Sequence, residues 1–78
     1  MPHVVVKLYP GPSEQQKAQL AERIVEDIVS TLNIGERSVS VAIQEVRPEE
    51  WAEKVYRPDI SGHRKNLYKQ PGYRPEEL

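Results

Sequence analysis

Residues 13–33 read Ser-Glu-Gln-Gln-Lys-Ala-Gln-Leu-Ala-Glu-Arg-Ile-Val-Glu-Asp-Ile-Val-Ser-Thr-Leu-Asn, a run whose apolar residues recur at helical spacing. Leu20, Ile24, Ile28 and Leu32 follow one another four residues apart with Ala21, Val25 and Val29 beside them, which lays an oily stripe along one amphipathic helix. Ser13 with Gln16 three places on is a capping box, in which each side chain satisfies the other's backbone N–H. At the far end Asn33 and Gly35 both tolerate the left-handed conformation of a C-cap, so the spacing predicts a helix over about 13–33.

On its N-terminal side, His3 to Tyr9 reads His-Val-Val-Val-Lys-Leu-Tyr, rich in β-branched and aromatic residues and closed by Pro10, Gly11 and Pro12. That is a strand stopped by breakers, over about 3–9. On the other side, over about 38–46, Val39, Val41 and Ile43 alternate with Ser38, Ser40, Ala42 and Gln44, the period of a half-covered strand. Strand, long helix and strand make a single βαβ unit of α/β type, α+β in some schemes, with parallel strands and a right-handed crossover. Val4, Val6 and Leu8 with Val39, Val41 and Ile43 then face the helix. His3, Val5, Lys7, Tyr9, Ser38, Ser40 and Ala42 fall on the reverse surface.

Two parallel strands alone are not a stable sheet, and the last third of the chain offers cover. Pro48, Glu49 and Glu50 start a short helix over about 48–56 holding Trp51 and Val55. A second helix is expected over about 59–69, carrying Ile60, Leu67 and Tyr68, followed by an extended, partly mobile tail at 71–78. The whole reads as one domain, 1–78. At 78 residues it lies near the lower size limit, where only roughly 60 to 65% of the unfolded chain's surface is buried, so association with other copies is the expected aid.

Composition removes several classes. There is no cysteine to form a disulfide, and His3 and His63 lie far apart in sequence, so no metal is expected. The 11 basic and 12 acidic side chains nearly balance and are scattered, which leaves no nucleic-acid footprint. No apolar run reaches bilayer length and no leader pattern opens the chain, which predicts a cytoplasmic protein that does not bind membranes. No glycine-rich phosphate loop or nucleophile elbow is present, and no cofactor is expected.

Pro2, directly behind Met1, carries the chemistry. A proline nitrogen inside a peptide has no proton to exchange. Once methionine is trimmed, as is general when proline follows, it becomes a secondary amine able to act as a base or nucleophile. An ordinary terminal amine titrates around 7.7 to 8.0 and a secondary one higher, so an apolar pocket has to lower it, and burial shifts groups by up to roughly 3 to 5 units. Val5, Tyr9 and Trp51 are candidates for that dry wall. His3, Ser38, Ser40 and nearby backbone amides are candidate hydrogen-bond donors to a substrate oxygen on which charge develops. Each has a plainer alternative: His3 as a solvated strand residue, Trp51 and Tyr9 as core or interface residues. Lys7, Arg37 and Arg47 are alternative carboxylate contacts, or ordinary surface charges.

The order Met-Pro-His, strand, capped helix, strand, then Arg47-Pro-Glu-Glu-Trp51 resembles the tautomerase superfamily, specifically the 4-oxalocrotonate tautomerase family. Trp51-Ala-Glu-Lys-Val-Tyr-Arg-Pro-Asp-Ile60 and Tyr68-Lys-Gln-Pro-Gly-Tyr73 look like its longer, dimeric, phenylpyruvate-type members. The resemblance implies βαβ units joined by oligomerisation into a four-stranded sheet, and keto–enol isomerisation with Pro2 as the base. It matches Tyr9 to an apolar pocket position, Ser38 to a small pocket residue and Trp51 to an aromatic wall. It departs at Pro12 and Ser40, which stand where the dicarboxylate-using founder has arginines. Each lost arginine removes a bidentate carboxylate partner, so an enol or keto acid with one carboxylate and an aromatic or apolar tail fits better. The longer C-terminal segment favours a homodimer over a hexamer. Two further readings stay open here: a hydratase or dehalogenase using Glu45 or Glu50 to activate water, and a non-catalytic dimeric module.

Overall fold

Both bonds of the Ser13 capping box are made: Gln16 N–H donates to Ser13 Oγ over 3.1 Å, and Ser13 N–H donates to Gln16 Oε1 over 2.8 Å. In this computed structural model, which describes residues 1–78, they open helix α1, Glu14–Leu32. Asn33 closes it in the left-handed region (φ 55°, ψ 54°), its N–H bonded to the Val29 carbonyl. The half-buried positions are Lys17, Ala21, Ile24, Val25, Ile28 and Val29, while Leu20 and Leu32 stay exposed. The reason is geometric. A four-residue step overshoots one turn by about 40°, so the ends of a strictly i, i+4 run drift off the covered stripe.

Strands β1, His3–Leu8, and β2, Ser40–Glu45, pair in parallel, with His3 opposite Ser40, Val4 opposite Val41, Val6 opposite Ile43 and Leu8 opposite Glu45. Helix α1 lies against β2, completing the βαβ unit. The alternation carries Val4, Val6, Leu8, Val41, Ile43 and Glu45 to one face. Lys17 marks that face as the helix side, since its ammonium reaches Glu45 over 3.2 Å. The ammonium also bonds Glu14, and these two carboxylates, Glu14 foremost, raise the Lys17 pKa above its ordinary 10.5. The reverse face carries His3, Val5 and Lys7 opposite Ser40, Ala42 and Gln44, with Val5 43% exposed. Both outer edges of this two-stranded sheet are unpaired within the chain.

β2 begins two residues later than the alternation implies. Glu36–Ser38 wind into a 3₁₀ turn instead, closed by the Ser38 hydroxyl donating to the Gly35 carbonyl over 2.8 Å.

Residues Met1–Glu45 form one compact unit and Val46–Leu78 a second. The second opens with helix α2, Pro48–Trp51, started by proline at its first turn and continued without a break by a π-helical stretch, Ala52–Ile60. Pro58 lies inside that stretch, where the sequence implies a boundary between two short helices. The wider π winding eases the ring's clash with a preceding carbonyl, and no N–H is there to be orphaned. A 3₁₀ segment, Ser61–Asn66, follows, broken at His63 (φ −138°, ψ 45°). Gly62 is required at that junction because a Cβ would lie 2.7 Å from the Arg57 carbonyl oxygen. Val55 and Tyr56 are buried here, and the Tyr73 ring packs on Tyr56 with centroids 5.9 Å apart. Residues 71–78, expected as an extended, partly mobile tail, hold Tyr73 in this ring contact and turn once more over Pro75–Glu77.

Candidate active site

Pro2 directly precedes β1, and its carbonyl accepts the Ser40 N–H over 3.1 Å. That bond fixes the start of the chain against the first residue of β2. Met1 beyond it is fully exposed, so its removal costs no packing. One residue on, His3 Nδ1 lies 2.6 Å from Ser40 Oγ. The parallel register makes this contact, since His3 and Ser40 are direct partners on the reverse face. The pair gives the chain's start an imidazole whose orientation is held by a hydroxyl, with its second ring nitrogen, Nε2, outside that bond.

The structure therefore brings Pro2, His3 and Ser40 together. Ser38 stands two residues before Ser40 with its hydroxyl proton engaged by Gly35, so toward a substrate that oxygen offers lone pairs rather than a donor. Tyr9, 43% exposed, follows the last residue of β1, at the opposite end of that strand from Pro2. At about 3.3 Å per residue the two are separated by about 23 Å, beyond the reach of a tyrosine side chain within one chain. Trp51 belongs to the second unit, half-buried, where its indole N–H donates to Tyr73 Oη over 2.9 Å. That partner is invisible to sequence reading, because Trp51 and Tyr73 lie 22 residues apart with no shared period and only the Pro-Gly-Tyr ending hints at an ordered turn.

The two carboxylates considered for water activation are both engaged by cations. Glu45 is held on the helix side by Lys17. Glu50 lies 2.9 Å from Lys54 Nζ and 3.4 Å from Arg47, and these cations, Lys54 foremost, hold its carboxyl below the ordinary 4.5. No three His, Asp or Glu side chains converge in a metal-binding arrangement. No helix is long and apolar enough to cross a membrane.

Comparison with known proteins identifies the family. The family model described as tautomerase enzyme matches residues 2–56, beginning at Pro2. A protein of Xylella fastidiosa named "Probable tautomerase" is 38% identical over 73 residues, spanning 94% of this chain and 89% of its own. Tautomerase PptA of Escherichia coli is 39% identical over 74 residues, 94% of this chain and 97% of that one. The crystal structure of TomN, a 4-oxalocrotonate tautomerase homologue in the tomaymycin biosynthetic pathway, superposes with a TM-score of 0.62 at 34% identity, over 64% of this chain and 77% of that one. With the family model covering most of its length and relatives aligned almost end to end, the chain belongs to the tautomerase superfamily, in its 4-oxalocrotonate tautomerase family, and is a tautomerase, an isomerase.

Proposed function

We propose that the enzyme interconverts the enol and keto forms of a small 2-hydroxy-2-enoate, an aryl enolpyruvate in particular, with the Pro2 amine as general base after Met1 is trimmed. The observation that carries this reading is the Pro2–His3–Ser40 cluster: a proline at the head of β1, bonded through its carbonyl to Ser40, beside an imidazole that Ser40 orients. The free amine takes the proton from the enol hydroxyl and returns it to carbon. The His3–Ser40 pair donates one hydrogen bond to the oxygen on which charge develops or to the single carboxylate, from whichever of the two does not spend its proton on the other. Tyr9 is an apolar wall that keeps the amine unprotonated near neutrality. Since Tyr9 stands a strand's length from Pro2, it reaches the amine only from another copy. The assembly that fits is a homodimer whose two βαβ units share one four-stranded sheet.

Pro12 and Ser40 in place of arginines argue for one carboxylate rather than two. A hydratase or dehalogenase reading has less support, because Glu45 and Glu50 are both tied to cations. The experiment is an intact-mass measurement on the cell-expressed protein, then an ultraviolet ketonisation assay on phenylenolpyruvate. The mass is expected to lack Met1, and Pro2→Ala is expected to lower kcat by about two to four powers of ten. A retained methionine or an unchanged rate excludes Pro2 as the base.

A further inference from the structure

The reverse face of the sheet carries charge of one sign. His3, Val5 and Lys7 stand on it opposite Ser40, Ala42 and Gln44, so its strands offer one imidazole, one ammonium and no carboxylate. Glu45, the acidic residue of β2, falls on the helix face with Lys17 and Glu14. Glu36 and Arg37 lie in the turn before β2 begins. Such a surface attracts an anion and holds no carboxylate of its own to compete with one.

Distance separates the two cations of this face. His3 directly follows Pro2, whereas Lys7 stands five residues beyond it, about 17 Å along the strand. In a 2-hydroxy-2-enoate the carboxylate is bonded to the very carbon that bears the hydroxyl. A carboxylate held by Lys7 therefore draws the enol away from Pro2, and one held by His3 keeps it there. His3 is exposed, so a ligand can reach it, and its ring is oriented through Nδ1, 2.6 Å from Ser40 Oγ. An imidazole carrying two protons gives Nδ1–H to that oxygen and has Nε2–H left for a ligand, with a full positive charge beside it. Lys7 and the trimmed Pro2 amine are the cations that oppose this charge on the same face. An arriving carboxylate offsets them and favours the doubly protonated ring.

We infer that the imidazolium of His3 binds the substrate's single carboxylate through Nε2–H, with Ser40 as the positioning residue that accepts Nδ1–H. The inference rests on the reading of Pro2 as the base of this site, and it assigns the charge that the His3–Ser40 contact alone leaves open. It also sets the substrate class: a 2-keto acid or its enol with the acid free, in preference to the corresponding ester or amide.

The test is equilibrium binding of two unreactive probes to the full chain, measured by calorimetry: 3-phenylpropanoate and its neutral primary amide. Neither has an enol proton, so the readout does not depend on Pro2 acting as a base. The wild type is expected to bind the acid more tightly than the amide. His3→Gln keeps a polar donor and removes the charge. In it the preference for the acid is expected to fall roughly threefold to tenfold, the worth of a charge-assisted bond discounted for an exposed site. His3→Arg, a permanent cation, is expected to retain the preference, and so is Lys7→Met. Ser40→Ala is expected to lose part of it and Ser40→Thr, which keeps a hydroxyl, to restore it. A wild type that binds the acid no better than the amide overturns the proposal. So does an unchanged preference in His3→Gln, an equal loss in His3→Arg, or a loss that follows Lys7 instead. The base is judged separately: Pro2→Ala turning over phenylenolpyruvate at the wild-type rate removes Pro2 from proton transfer and leaves the binding preference standing.

Discussion

The hydroxyl of Ser40 fills a position at which a longer cation would change what the site can hold. It bonds the His3 imidazole over 2.6 Å and its own N–H holds the Pro2 carbonyl, so any substrate group recognised there meets neutral or single-point donors. Ser40→Arg adds a planar guanidinium able to grip a carboxylate with two parallel bonds. The preference for a dicarboxylate enol over a monocarboxylate one, read as the ratio of kcat/KM values in the ketonisation assay, is expected to rise roughly tenfold to a hundredfold, the value of a hydrogen bond to a charged group. An unchanged ratio removes Ser40 from the carboxylate's surroundings. Strand alternation alone assigns His3 and Ser40 to one face, but it leaves open which residue of β2 stands opposite His3. That register is set by the whole pairing of β1 with β2, and a slip by one residue would have put His3 against Val41 or Val39.

Elements differ in how far local chemistry determines them. Helix α1 is legible because its cap, its stripe and its left-handed end each follow from nearby residues. The run Pro48–Ile60 is not: Pro58 signals a stop, and only the π winding lets the helix continue through it. The start of this run is held by an ion cluster with a pH signature. Glu50, bonded by Lys54 and Arg47, has its folded pKa lowered. A lowered carboxyl contributes stability that is present above its ordinary value of 4.5 and lost as pH falls through the lower folded value. The thermal midpoint of the wild type is therefore expected to exceed that of Glu50→Gln at neutral pH, with the gap closing as the solution is taken down through and below pH 4.5. A gap that stays constant to pH 3 places its origin outside this carboxyl. Because these side chains lie largely in solvent, salt is expected to shrink the gap at neutral pH as well.

At the scale of the whole molecule, the fold is incomplete as one chain. A two-stranded sheet with both edges unpaired is marginal in water, and Val5 and Tyr9 remain exposed beside them. Sequence reading reaches the need for a partner through chain length and the two-strand count, but it does not show which end of β1 that partner must serve. The roles proposed for Pro2 and Tyr9 bear on this. Tyr9 and Pro2 lie at opposite ends of β1, about 23 Å apart, so one chain does not offer both to the same substrate. In the proposed two-fold dimer, Tyr9 of one copy meets Pro2 of the other, and each copy contributes a different half to each site. Mixing variants tests this directly. Pro2→Ala chains lack the base and Tyr9→Ala chains lack the wall. A mixed dimer holds one site with Pro2 and Tyr9 both intact and one site with neither. After equimolar unfolding and refolding together, specific activity toward phenylenolpyruvate is expected to reach about a quarter of wild type, since half the dimers are mixed and one site in each is whole. Activity no greater than the average of the separate variants means that Tyr9 and Pro2 do not complete each other across two chains, and the shared site is then wrong whatever mass light scattering reports.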